Sequence, residues 1–135
     1  MKTINTKGLD IGGASFFVPS HGDCLDSPSS PMRIHEGDII GLHDIEIKKV
    51  GDYKGKLIAV VLRRNVGGCS RFMVKEMVGT FRTQSFVPGV KPSEGVILQC
   101  YIPKRMQMYF CFEDIERVFA VDCHFPKEKL SINEA

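Results

Sequence analysis

The chain has 135 residues and no periodic repeat, enough for one compact domain that buries a real core without disulfides or a metal to staple it. Its 18 Lys and Arg nearly balance 16 Asp and Glu, leaving a formal charge of +2 that lacks the basic footprint of a nucleic-acid binder, so no direct nucleic-acid contact by this segment is expected. Cys24, Cys69, Cys100, Cys111 and Cys123 are scattered without a disulfide spacing and no signal-peptide core precedes them, which points to a reducing cytoplasm; the longest apolar run, residues 57–62, is far too short to cross a bilayer, so no membrane span is expected.

In chain order, residues 1–14 are polar and glycine-containing without helical periodicity and read as an extended or mobile arm; no helix-turn-helix fits there. Residues 15–18 (SFFV) form a short apolar run stopped by Pro19, a strand that leads into His21-Gly22-Asp23-Cys24. Residues 26–35 (DSPSSPMRIH) favour turns, because two prolines and three serines forbid a long regular element. A strand is expected at 38–42, then a charged connection through residues 46–49. Residues 56–63 (KLIAVVLR) have the continuous β-branched character of a strand buried on both faces. Gly67-Gly68 marks a hairpin turn into residues 71–78, where strict alternation places Arg71, Met73, Lys75 and Met77 on one face. Two further strands are expected at 80–87 and 95–101, and an acidic turn at 112–116 enters a last strand. The architecture expected is one mainly β domain over residues 15–125, a set of twisted sheets or partial barrel, with a charged tail at 126–135.

Four segments occur in an order that resembles the peptidase domain of the LexA, UmuD and phage-repressor group. His21-Gly22-Asp23-Cys24-Leu25 resembles the nucleophile turn of that group, Glu36-Gly37-Asp38-Ile39-Ile40 its following Gly-Asp strand, RFMVKEM at 71–77 its lysine strand, and FEDIERVFAV at 112–121 its closing turn and strand. Members usually carry serine where this chain has Cys24 and methionine where it has Leu25. The resemblance implies a LexA-type fold, a homodimer, a role in transcriptional or stress (SOS) regulation, and a self-cleaving dyad of Cys24 and Lys75 framed by Gly22, Asp23 and Leu25, with Gly37 and Asp38 shaping the strand behind it. It implies no cofactor and no metal, and its substrate would be the chain itself or a protein partner. Self-cleaving members cut at a small-residue bond, often Ala-Gly; this chain has no Ala-Gly pair, only Gly12-Gly13-Ala14-Ser15 upstream of Cys24.

The cysteine changes the chemistry. A serine/lysine dyad needs a neutral lysine to take the hydroxyl proton, whereas a thiol, with an ordinary pKa of about 8.5 against about 10.4 for lysine, gives its proton to the amine before any substrate arrives. The nucleophile is then ready, but an ammonium stabilised by its own thiolate is a poor acid toward a departing amine. Three readings follow. One is a slow cysteine/lysine peptidase, with His21 as an auxiliary acid or base. Another is a dimerisation or partner-binding module of the same fold with catalysis lost, Cys24 being a small buried residue. The third is a zinc site from His21, Cys24, Cys123 and His124, for which the sequence offers no paired CxxC or HxxxH spacing.

Overall fold

The computed structural model describes residues 2–5, 11–65, 71–129 and 131–134. Its main element is one seven-stranded antiparallel sheet, ordered β2-β3-β8-β4-β5-β6-β7 and not closed into a barrel. The strands are β2 (Phe16–Pro19), β3 (Ile39–Ile45), β4 (Leu57–Leu62), β5 (Phe72–Arg82), β6 (Glu94–Cys100), β7 (Met106–Cys111) and β8 (Ile115–Phe125). A separate two-stranded pairing joins β1 (Lys2–Asn5) to β9 (Ser131–Glu134). The mainly β expectation is met.

Strand β4 shows why LIAVVL is apolar at every position. Ile58, Val60 and Leu62 enter one core with Met73, Met77, Leu98 and Val118, while Leu57 and Ala59 enter a second core with Leu25, Ile34, Leu42, Tyr101 and Phe119. A strand with both faces covered has no polar side to alternate with. Its neighbours are β5 and β8, and the β4/β5 pairing runs from Leu57 opposite Glu76 to Val61 opposite Phe72. The Gly67-Gly68 turn expected between them, like Cys69, lies outside the described residues.

Three sequence expectations need correction. Residues 80–87 are not a strand of their own: β5 continues through Gly79 to Arg82, kinked by a register shift between Met77 and Gly79, and the chain then turns at Gly89, whose φ of +82° suits glycine. The charged connection at 46–49 opens a 3-10 segment, Ile47–Tyr53, that buries Val50 in the first core. Strand β7 was not anticipated; MQMYFC is exposed along much of its length, so neither an apolar run nor a strict alternation announces it.

The pairing of β3 with β8 carries a shift at Gly41/Leu42, which leaves Asp122 without a partner in the ladder. Asp122 instead meets the His43 ring, Oδ2 to Nδ1 at 2.6 Å. Gly41 is required at that shift because a Cβ there would collide with Cys123 Sγ and the Ala14 methyl.

Candidate active site

Strand β2 delivers the chain to Ser20, which fastens the nucleophile turn to the Gly-Asp segment beneath it. The Ser20 N–H donates to the Asp38 carbonyl at 2.7 Å, its hydroxyl donates to the His35 carbonyl at 2.9 Å, and its own carbonyl accepts the Gly37 N–H at 3.2 Å. Gly37 takes a φ of +88°, a left-handed conformation that favours glycine. Buried Asp38 closes this turn by accepting the His35 N–H at 3.1 Å and facing His124 Nδ1 at 3.4 Å. Gly37 and Asp38 thus lie in the segment bonded to Ser20, next to the turn that carries Cys24.

The turn itself follows at Gly22, again left-handed with a φ of +81°. Asp23 accepts the Asp26 N–H at 2.9 Å, so the chain reverses at Cys24-Leu25. Leu25 is the anchor, buried in the second core. The Cys24 carbonyl accepts two N–H groups, from Tyr101 at 2.8 Å and Ile102 at 3.1 Å. Its backbone is clamped while its side chain stays half-buried.

Lys75 reaches this turn from the middle of β5. Its Nζ donates to Cys24 Sγ at 2.7 Å, a contact between residues 51 apart in sequence. In the ladder Lys75 stands opposite Ile58, and its neighbours Met73 and Met77 enter the first core, whereas Cys24 packs against the second. The one-face expectation therefore holds for the two methionines and not for the amine, which a four-carbon stem carries away to the cysteine. Both groups line a cavity of about 390 Å³ whose walls are mostly apolar, including Leu25, Ile34, Ile40, Phe72 and Val74. His21 lies on the rim of the same cavity, exposed, and makes no hydrogen bond.

Polar groups around the dyad are arranged to hold its two halves. Asp26, one residue past Leu25, faces Arg33 Nε at 2.8 Å and His35 Nδ1 at 3.1 Å; these bonds, the arginine's first, hold its carboxyl below the usual 3.8. On the other side, Glu76 follows Lys75 on β5 and accepts hydrogen bonds from the Tyr101 hydroxyl, in a very short contact, and from Gln99 Nε2 at 3.4 Å. Gln99 also donates to the Tyr101 oxygen at 3.1 Å and accepts from Gln107 at 3.2 Å. Burial and then the Glu76 carboxylate push the Tyr101 hydroxyl above its ordinary 10.0. Sequence reasoning missed Tyr101, Glu76 and Gln99. The available signal was Gln99, an amide inside the otherwise apolar strand GVILQC.

The candidate zinc donors are dispersed. Cys123 is buried with Ile39 and Phe125, His124 faces Asp38, and among the described residues no group of three or more His, Cys, Asp or Glu is placed to hold a metal ion. Cys24, Cys100 and Cys111 are free thiols, and no helix of the described residues is long and apolar enough to cross a membrane. No protein-family model, no curated protein and no solved structure matches this chain.

Proposed function

We propose that this chain is a peptidase domain of the LexA and phage-repressor type, acting in cytoplasmic transcriptional or stress regulation, that cuts a peptide bond of its own or of a partner with Cys24 as nucleophile and Lys75 as its acid–base partner. The observation that carries this reading is the 2.7 Å contact between Lys75 Nζ and Cys24 Sγ at the wall of an apolar cavity. Two residues named from separate motifs, 51 positions apart, meet there.

In this reading the reactive form of the pair is thiolate and ammonium, the arrangement that one proton shared between a thiol and an amine takes. The thiolate attacks the substrate carbonyl carbon, and the carbonyl electron pair moves onto oxygen. Among the described residues the Asp23 and Cys24 backbone N–H groups donate to no acceptor, and in this reading they are the donors available to that oxyanion. As the intermediate collapses, the Lys75 ammonium protonates the departing amine and a thioester remains on Cys24. Neutral Lys75 then takes a proton from water, the resulting hydroxide attacks the thioester, and thiolate leaves to restore the pair. Protonating the amine is the slow step, because the ammonium gives its proton to a base of similar strength.

Following the intact mass of the purified chain, alone and with added peptides carrying small-residue bonds, tests this. Processing is expected in the wild type and absent in both Cys24→Ala and Lys75→Met; processing that survives in both variants would refute the dyad. An alternative reading, a module that docks a second copy of the chain, is favoured by one feature: Phe86, 90% exposed, with Val87 and Val90 beside it on the loop after β5. It expects a dimer in sedimentation that Phe86→Ser dissociates, with no cleavage by either protein.

A further inference from the structure

We propose that Cys24 and Lys75 are also a peroxide-reactive pair that closes into a covalent sulfur–nitrogen crosslink, a modification that reversibly blocks the site. The inference shares the thiolate–ammonium contact with the peptidase reading, but it requires no peptide bond to be cut.

The property that slows peptide cleavage favours this reaction. In peptide hydrolysis the ammonium must protonate an amine of about its own basicity. When the thiolate attacks hydrogen peroxide instead, the leaving group is hydroxide, whose conjugate acid, water, is a far weaker acid than an ammonium. The proton transfer is strongly downhill, and the donor already sits 2.7 Å from the attacking sulfur. Cys24 is half-buried on a cavity of about 390 Å³, so a solute as small as peroxide has room to approach.

The steps balance. Thiolate sulfur bonds to one peroxide oxygen, the O–O bond breaks, and the ammonium proton goes to the departing hydroxide, giving sulfenic acid, neutral Lys75 amine and one water. Sulfur has been oxidised and peroxide reduced. The amine, freed of both its proton and its thiolate partner, then attacks the sulfenic sulfur; the S–O bond breaks, the hydroxyl leaves with an amine proton as a second water, and an S–N bond remains. Sulfenic acids condense in this way with nearby nitrogen or thiol nucleophiles. Here Lys75 Nζ is in contact with Cys24 Sγ, whereas Cys100 and Cys123 are buried elsewhere in the cores. An external thiol reverses the crosslink by attacking its sulfur and releasing the amine.

The experiment uses the reduced full chain, treated with hydrogen peroxide in the absence of other thiols, blocked and mapped by tandem mass spectrometry. The expected product has lost two hydrogens, joins the peptide containing Cys24 to the peptide containing Lys75, and returns to the starting mass with dithiothreitol. Lys75→Arg keeps the charge but lacks a nucleophilic amine, so its Cys24 is expected to be trapped by dimedone as sulfenic acid, with no crosslink. Oxidation in denaturant should also give none. Recovery of wild-type Cys24 only as a disulfide or as sulfinic acid, with the Lys75 peptide unlinked, would overturn the proposal. Because the readout is a bond and not a cleavage rate, failure here leaves the peptidase reading standing, and loss of cleavage leaves this one standing.

Discussion

Asp26 shows how much of the candidate site is decided two residues away from Cys24. It holds the loop that follows Cys24 by facing both Arg33 and His35, and those partners keep its carboxyl ionised below the usual 3.8. A carboxyl whose folded pKa is depressed contributes stability above its unfolded pKa and loses it as pH falls through the folded value. Asp26→Asn is therefore expected to lose a modest amount of stability at neutral pH and to converge on the wild type as pH falls below about 4, flattening the acid limb of the stability–pH curve, as chemical denaturation across pH will show; the exposure of the site keeps the effect modest. Cys24 stood out in the sequence through its place in His21-Gly22-Asp23-Cys24. Its partner was legible only through the order of the motifs, since a lysine between two methionines reads equally as a solvent-reaching edge residue. What no local pattern could show is that the Lys75 amine leaves the row of its own strand to reach Cys24.

At the scale of elements, β5 and the turn after β6 together set the dyad. Strand β5 supplies Lys75 and Glu76 in succession, and Tyr101 binds both halves: its N–H holds the Cys24 carbonyl, and its hydroxyl holds Glu76. Removing that hydroxyl leaves a half-buried carboxylate short of a donor, so Tyr101→Phe is expected to cost about 0.5–1.5 kcal/mol in denaturant unfolding. The variant should also differ at high pH. A hydroxyl whose folded pKa is raised contributes stability fully present below its unfolded pKa, here near the ordinary 10.0, and lost as pH rises through the folded value, so the alkaline limb of Tyr101→Phe should be flatter than that of the wild type. Gly95 is a second constraint on the same strands, because a Cβ there would meet the Phe110 carbonyl oxygen of β7 and the Phe81 ring of β5. Gly95→Ala is expected to destabilise by about 1–3 kcal/mol, read as a lower unfolding midpoint with an unchanged slope. These elements were unevenly legible. LIAVVL announced itself because burial on two faces removes every polar residue, while MQMYFC at the sheet's outer edge offered neither a run nor an alternation.

The described residues form a seven-stranded antiparallel sheet with a core on each face of β4, and a two-stranded pairing of β1 with β9; the candidate site lies where the second core meets the turn after β2. Composition and strand spacing were enough to expect a mainly β domain. They could not give the order in which seven strands pair, which depends on contacts between residues far apart in sequence. Nor could they show that β2 and β5, four places apart in the sheet order, contribute to opposite walls of one cavity. At this scale the account stands on a single claim: Cys24 and Lys75 act as one acid–base pair. The direct measurement is the rate of Cys24 alkylation by iodoacetamide at neutral pH, followed by peptide mass mapping, in the wild type and in Lys75→Met. The account expects the wild-type Cys24 to react at least about tenfold faster than that of the variant, because an ammonium in contact with the sulfur favours the nucleophilic thiolate. Equal rates in the two proteins would contradict it.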